Sequence, residues 1–209
     1  MIAIVDYGAG NLTSVARAVS FLGYTPRVTR DPAEIAGADR IIFPGVGAAG
    51  SAMTGMEERG IDGAMKQAFG AGTPMLGICV GCQIIMDKSQ ENDARCLGLI
   101  PGEVHAFPEK MDSGDGYPLK VPHMGWNGLE VVQDHPLFQG VGKDDEFYFV
   151  HSYFPVPKDP KAVFGRTDYG VTFASAIGTD NLFATQFHLE KSGEPGLLIL
   201  KNFCVWKPC

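Results

Sequence analysis

The chain has 209 residues, enough for one α/β domain with a sizeable core, and we expect residues 1–209 to form a single domain. Hydrophobic residues make up 45% of it and charged residues 20%, which is the balance of a folded protein. Its formal charge of −7 at pH 7 argues against nucleic acid or an anionic membrane as the main partner, because both attract basic surfaces.

Neither a leader segment nor a metal site is expected. The N-terminal MIAIVDYG is too short and too uncharged for a signal peptide, and no apolar run reaches membrane-spanning length. The five cysteines are odd in number and have no repeating spacing. Cys79 and Cys82 form a CxxC without a second pair, so the sequence predicts no metal and a reduced, cytoplasmic location.

The first half of the chain alternates strands and helices. Apolar runs predict strands at residues 2–5, 40–43 and 74–78, the first of them at a sheet edge. Helices are expected at residues 12–22, at about 50–68 and from 83 to 87. Asn11 is placed to cap the first helix and Gly23 to end it. Such an order predicts a parallel sheet covered on both faces.

The second half changes character. Short segments typical of strands fall near residues 97–105, 128–132, 146–150, 162–165, 171–177 and 182–187. A final helix is expected over residues 195–203. The fold class is therefore α/β, with an open, mostly parallel sheet flanked by helices and extra antiparallel strands in the second half.

The sequence PMLGICVGCQ brackets Cys79 with glycines at positions 77 and 81. A strand that turns sharply into a helix needs small residues two positions before and after its corner, as in the G-x-S-x-G elbow of hydrolases. Cys79 would then be a nucleophile with a lowered thiol pKa, and the Val80 N–H would face any oxyanion formed there. The alternative is a buried cysteine that only fills space.

A base for Cys79 is found in FATQFHLEKSG. His188 and Glu190 are two residues apart and would point to one side of an extended segment, where the carboxylate can orient the imidazole. A lone histidine is more often a structural residue; the glutamate and the upstream cysteine favour catalysis here. His105 and His135 lack such a carboxylate and are interpreted as structural.

Two glycine-containing turns follow predicted strands. The turn Pro44-Gly45-Val46-Gly47 should lie at the same sheet edge as Cys79 and could supply a second oxyanion donor. The loop DYGAGN only loosely resembles a phosphate-binding loop, because it lacks the third glycine of G-x-G-x-x-G. We therefore expect no nucleotide and no other cofactor.

Together these motifs resemble a known family. GICVGCQ, PGVG and QFHLEKS are similar to class I, triad-type glutamine amidotransferases, whose fold is flavodoxin-like. More narrowly, DYGAGNLTSV, FPGVGAAGSAM, GLIPGEV, VPHMGWN, FVHSY and EKSGEPGLLILKNF resemble the glutaminase subunits of imidazole glycerol phosphate synthases, which act in histidine biosynthesis. The resemblance covers residues 2 to about 203.

The resemblance implies a role for each matching position. Cys79 would be the nucleophile, His188 the base and then acid, and Glu190 the orienting carboxylate. Backbone donors would come from Val80 and from Val46 or Gly47. Gln83, Glu91 and the backbone of Ser152 and Tyr153 would hold glutamine. Asn11, Trp126, Asn127 and Lys191 would face the partner, a (β/α)8-barrel cyclase that receives ammonia.

One departure from the family pattern is plain. The family reads H-P-E where this chain has His188-Leu189-Glu190, and proline would stiffen that strand. Two other functions stay open from the residues: a stand-alone cysteine hydrolase of related fold, and an inactive scaffold subunit.

Overall fold

The computed structural model describes residues 1–8, 10–114 and 116–208. Its α-helices are α1 Leu12–Phe21, α2 Pro32–Ala36, α3 Ala49–Glu57, α4 Ile61–Gly70, α5 Val80–Ile84 and α6 Gly193–Val205. Its strands are β1 Ile2–Val5, β2 Pro26–Thr29, β3 Arg40–Gly45, β4 Met75–Cys79, β5 Lys88–Ser89, β6 Ala94–Arg95, β7 Gly102–Ala106, β8 His123–Gly128, β9 Glu130–Val131, β10 Glu146–His151, β11 Tyr153–Pro157, β12 Val163–Asp168, β13 Thr172–Thr179 and β14 Leu182–Thr185.

The main sheet has eight strands within the described ranges, in the order β2-β1-β3-β4-β14-β13-β12-β9. Its strands are parallel from β2 to β14, and β13, β12 and β9 continue it with antiparallel pairing. Two smaller sheets have the orders β10-β8 and β11-β7-β5-β6. The α/β prediction, with its added antiparallel strands, is confirmed.

The centre of the main sheet is apolar on both faces. Every residue of β1, β4 and β14 is buried, as the near-continuous apolar runs predict for strands covered on both sides. Large side chains such as Phe43 and Phe183 are fully buried there. This sheet is the rigid base from which the ends of β3, β4 and β14 present the candidate site.

Several predictions about the elements are wrong in detail. Strand β1 is not an edge, because β2 pairs with it on the outer side, starting at Pro26. Proline at the first residue suits an edge strand, but the polar, half-exposed β2 carries no periodic signal. The helix predicted over 50–68 is two helices, since Gly60 adopts a positive φ of 67° between α3 and α4.

The second half also holds unpredicted strands. The segments β5, β6 and β11 are absent from the predicted set, and β8 begins well before the segment expected at 128–132. These strands are short or contain Gly and Pro, so pairing with distant partners defines them more than local preference does. Of the helices in the described ranges, none has the length and apolarity to cross a membrane.

Candidate active site

Cys79 is the last residue of β4, and helix α5 begins at the next residue. Its backbone has φ 57° and ψ −106°, a region that non-glycine residues rarely adopt, so the turn is strained. A Cβ at Gly81 would lie 2.0 Å from the Phe43 carbonyl oxygen, and one at Gly77 would lie 2.9 Å from Gly81 backbone atoms. The glycines around Cys79 are thus required by the closeness of the two strands and the helix.

Replacing Gly81 with alanine is expected to destabilise the fold by about 3 kcal/mol, because the added methyl group meets fixed backbone of β3. Gly63 in α4 is a matched control with open space around it. There alanine should stabilise by roughly 0.5–1 kcal/mol through its better helix propensity. Denaturant unfolding of both variants checks this, and equal stabilities would contradict the steric account.

His188 and Glu190 follow the end of β14 and lie beside the turn at Cys79. Nδ1 of His188 and Oε1 of Glu190 are 2.7 Å apart, and both side chains are almost completely buried. The backbone N–H of His188 donates to the Tyr148 carbonyl over 2.9 Å, which anchors the segment to β10. The segment is not extended throughout as predicted: Glu190 lies in a 3-10 turn, Leu189–Lys191, where the chain leaves the sheet and enters α6.

Leu189, which stands where the family has proline, is accommodated by packing and by a nearby hydrogen bond. Leu189 is fully buried, and the Ser192 hydroxyl donates to the His188 carbonyl over 2.6 Å. These contacts hold the His–Glu turn without the ring of a proline.

Electrostatics favour a charged pair. Burial works against charge on His188, but the neighbouring Cys79 and Glu190 outweigh it and raise its pKa to about 9. Burial likewise opposes charge on Glu190, yet its hydrogen bond to His188 lowers the pKa of that carboxyl. His188 is therefore protonated at neutral pH.

Within the described residues, the second imidazole nitrogen of His188, Nε2, is buried and is not hydrogen-bonded. Nε2 of Gln186 approaches Sγ of Cys79 at 3.8 Å. His188 and Cys79 thus line the same cavity.

That cavity has a volume of about 380 Å³. Its walls bring together twelve residues from both halves of the chain: Val46, Gly47, Cys79, Val80, Gln83, Glu91, Pro122, Val150, His151, Ser152, Tyr153 and His188. Nine of the ten residues expected in catalysis, oxyanion stabilisation or glutamine binding are among them; the tenth, Glu190, lies behind His188.

The glycine turn reaches the cavity as expected from the parallel sheet. Gly45 is in register with Cys79 across β3 and β4. The following residue Val46 is partly exposed, and Gly47 has a φ of 96°. The hydroxyl of Tyr7 donates to the Pro44 carbonyl over 2.8 Å and anchors the start of this turn.

The two side chains expected to bind glutamine, Gln83 and Glu91, are hydrogen-bonded to different parts of the cavity wall. Gln83 is buried, and its Nε2 donates to the carbonyls of Tyr153, over 3.0 Å, and of the Gln186 side chain, over 3.2 Å. Oε2 of Glu91 accepts from the backbone N–H of Ala49, over 2.7 Å, at the start of α3. Gln83 and Glu91 thus face the cavity while tied to its walls.

Of the four residues expected at a partner, Trp126 is 54% exposed and Lys191 is exposed as well. Asn127 is half-buried, and its Nδ2 donates to the Asp168 carbonyl over 2.8 Å. Nζ of Lys191 lies 5.6 Å from the centroid of the Tyr148 ring.

Asn11 behaves differently from its prediction as a helix cap. It has φ 73° and its side chain makes no capping bond to α1. Instead Nδ2 of Asn11 donates to Oε1 of Glu190. A carboxylate is a strong hydrogen-bond acceptor because it is charged, and the Asn11 side chain binds it instead of the end of α1. Ala9 of the same DYGAGN motif lies outside the described residues.

Sequence reasoning missed several residues around the cavity. Tyr7 lies in DYGAGN and Gln186 in QFHLEKS, but neither residue is part of a recognisable catalytic pattern. His123 and His151 are buried close to the cavity, and only their presence in VPHMGWN and FVHSY could have drawn attention to them. In the described part of the chain, no cluster of three or more His, Cys, Asp or Glu side chains could hold a metal ion.

The comparisons agree with this geometry. The sequence model described as glutamine amidotransferase class-I matches residues 3–206. A protein of Nitratidesulfovibrio vulgaris (strain Miyazaki F), named imidazole glycerol phosphate synthase subunit HisH, is 52% identical over 97% of this chain and 95% of its own. The same subunit of Aromatoleum aromaticum is 46% identical over 99% of both chains.

Solved structures show the same fold at low identity. A crystal structure of a glutamine amidotransferase superposes with a TM-score of 0.70 at 19% identity, covering 98% of this chain and 99% of that one. The structure of PurLQS from Thermotoga maritima gives 0.69 at 19% identity, covering 97% and 96%. The chain belongs to the class-I glutamine amidotransferases, and within them to the HisH subunits of imidazole glycerol phosphate synthase.

Proposed function

We propose that Cys79 attacks the side-chain amide of glutamine. A single observation carries this: a sulfur at a strained strand-to-helix corner shares one cavity with a buried imidazole held by a carboxylate. The sulfur forms a bond to the amide carbon, and the tetrahedral oxyanion accepts from the backbone N–H of Val80 and of Val46 or Gly47. Losing one such donor costs about 3 kcal/mol in comparable sites.

His188 serves as base and then as acid: it takes the proton of the Cys79 thiol, and the resulting thiolate attacks the amide carbon. With its pKa raised to about 9 it carries a proton at neutral pH, which it gives to the leaving nitrogen as the C–N bond breaks and ammonia departs. A water then attacks the thioester, gives a proton to Nε2, and the C–S bond breaks to release glutamate. Glu190 holds the ring through Nδ1 during both steps.

The substrate is held on the side of the cavity away from Glu190. We assign the amino and carboxyl ends of glutamine to Gln83, Glu91 and the backbone at Ser152 and Tyr153, which line the cavity together. The existing bonds of Gln83 and Glu91 to the walls fix these groups before substrate arrives.

The ammonia is used by a second subunit. Ammonia released into water would be protonated and lose its nucleophilicity, so the glutaminase needs an acceptor enzyme docked to it. We assign that role to a (β/α)8-barrel cyclase, which uses ammonia on a phosphoribosyl nucleotide intermediate to form imidazole glycerol phosphate and AICAR in histidine biosynthesis. Trp126, Asn127, Lys191 and Asn11 are the proposed docking residues. The four free, buried thiols among the described cysteines suit the reducing cytoplasm.

The two alternative functions are not favoured. A scaffold subunit would have no use for a strained cysteine, and the intact Cys79, His188 and Glu190 argue against it. A stand-alone hydrolase would need no acceptor, whereas this chain is similar over nearly its whole length to subunits of a synthase.

The test is a glutaminase assay with and without the cyclase and its nucleotide substrate. We infer that the peptide at Val46–Gly47 is a switch, because Gly47 at φ 96° can reorient at modest cost. Hydrolysis should therefore rise by at least about tenfold, a change of roughly 1.4 kcal/mol, when the complex binds the nucleotide. If the isolated chain hydrolyses glutamine as fast as the complex, the switch is contradicted.

A further inference from the structure

Two buried histidines take no part in the proposed chemistry. His151 ends β10 and lines the cavity, and His123 begins β8 directly opposite it in the antiparallel register. They are 5% and 2% exposed. Burial of two imidazoles next to a substrate cavity calls for a structural or functional reason, because each ring must satisfy two nitrogens.

The rings lie among aromatic side chains. His123 is stacked between Tyr169 and Phe149, with centroid distances of 4.0 and 4.7 Å, and His151 lies 5.1 Å from the Phe173 ring. Burial lowers the pKa of His123 to about 4 and that of His151 to about 3. Both rings are therefore neutral at pH 7, each with one N–H and one bare nitrogen.

The contacts fix which nitrogen carries each proton. Nδ1 of His151 lies 2.9 Å from the Tyr153 carbonyl, which only accepts, so this nitrogen must donate. Nε2 of His151 is then bare and accepts from Nδ1 of His123 over 3.0 Å. Nε2 of His123 is bare in turn and accepts from Nδ2 of Asn127 over 3.3 Å. These hydrogen bonds form one hydrogen-bond chain, in which each group donates to the next, from Asn127 through His123 and His151 to the Tyr153 carbonyl.

The inner end of this chain is a wall of the cavity. The Tyr153 carbonyl accepts from His151 on one side and from Nε2 of Gln83, over 3.0 Å, on the other, so both of its lone pairs are used. The peptide that follows Tyr153 is thereby fixed in orientation. Ser152 separates β10 from β11 and its carbonyl accepts from the backbone N–H of Phe107 over 3.1 Å, while Tyr153 begins β11 opposite Ala106.

The outer end lies beneath an exposed surface. Successive residues of β8 point to opposite faces, so His123 and Asn127 face inward while Met124 and Trp126 face outward. Met124 is 61% and Trp126 54% exposed. The hydrogen bonds thus lead from beneath this exposed surface to the cavity wall.

We propose that His151 and His123 are positioning residues: their directed hydrogen-bond chain from Asn127 holds the Tyr153 carbonyl, and with it the glutamine-binding wall. This rests on the proposed glutaminase function. It predicts that losing the hydrogen bond from residue 151 to the Tyr153 carbonyl weakens glutamine binding while chemistry at Cys79 continues.

Two substitutions of His151 separate positioning from packing. Asparagine places its amide nitrogen close to the position of Nδ1 and can still donate to the Tyr153 carbonyl, whereas glutamine places its amide near Nε2 and loses that contact. In the complex with the cyclase, H151Q should raise KM for glutamine about tenfold with kcat within roughly threefold. H151N should keep KM within roughly threefold of the wild type.

The measured KM values decide whether His151 positions the Tyr153 carbonyl or only fills space. Equal changes in KM for H151N and H151Q, no change in either, or an effect on kcat instead would overturn the inference. If neither variant folds, as judged by thermal unfolding, H123F takes their place because phenylalanine keeps the stacking. It removes the donor that keeps Nε2 of His151 bare and its Nδ1 protonated, a tautomer that the asparagine amide of H151N does not need. KM should therefore again rise about tenfold, and an unchanged KM would overturn the inference.

The assay also distinguishes this inference from the proposed function. A wild-type complex that does not hydrolyse glutamine would contradict the function itself. Wild-type hydrolysis with unaffected variants would contradict only the positioning role. Ammonia-dependent synthesis by the cyclase, measured in parallel, should be unchanged in every variant.

Discussion

Replacing Cys79 with alanine is expected to abolish glutamine-dependent synthesis by the complex while ammonia-dependent synthesis survives. Alanine at the corner keeps the elbow but removes the sulfur that forms the thioester, so glutamine turnover should fall at least about 10³-fold. The cyclase receives added ammonia directly and needs no thioester. Both activities are measured as product formed from the nucleotide substrate.

Cys204→Ala is the matched control. Cys204 is also a free, buried thiol, but it lies in α6 and does not line the cavity. Its variant should retain both activities. Loss of ammonia-dependent synthesis along with the glutamine-dependent reaction in C79A would count against an amidotransferase mechanism. Full retention of the glutamine-dependent reaction would exclude Cys79 as the nucleophile.

Glu190→Gln should lower kcat for glutamine by roughly 10²–10⁴-fold, the range typical of positioned proton transfer. The amide cannot hold the charged imidazole, and its NH₂ group can face Nδ1 and reverse the hydrogen bond. The nearby Glu194→Gln is the control, because Glu194 is an exposed carboxylate in the first turn of α6. Steady-state kinetics of the complex check this, and similar rates for the two variants would contradict it.

The same substitution changes how stability depends on pH. His188 has a raised pKa, so its charged contacts stabilise the fold fully below its unfolded value of 6.5, and this is lost as pH rises through about 9. Glu190 has a lowered pKa, so its contribution is complete above 4.5 and is lost as pH falls through its folded value. The stability difference between wild type and E190Q should therefore be largest between about pH 4.5 and 6.5 and narrow toward pH 9.

Denaturant unfolding across pH 5 to 9.5 measures that difference. Its slope above pH 6.5 cannot exceed about 1.4 kcal/mol per pH unit for a single proton. A difference that widens with rising pH would mean that His188 is not held in its charged form by Glu190.

Local sequence patterns predicted the central strands and the chemistry of the candidate site. Apolar runs located β1, β3, β4 and β14, because a strand buried on both faces needs apolar side chains throughout. The glycines around Cys79 predicted a strand-to-helix corner, since only small residues allow the close approach measured there. The spacing of His188 and Glu190 indicated a hydrogen-bonded pair, although the turn joining them is not the extended segment expected.

Other features arise only from contacts between residues that are far apart in the sequence. The polar edge strand β2 exists because β1 offers it a ladder, and Asn11 turns from its helix to a carboxylate 179 positions away. The hydrogen-bond chain through His123 and His151 arises from the register between β8 and β10, which no local sequence pattern encodes. Local propensity acts over a few residues, whereas buried hydrogen-bonding groups are paired only once the whole chain has packed around them.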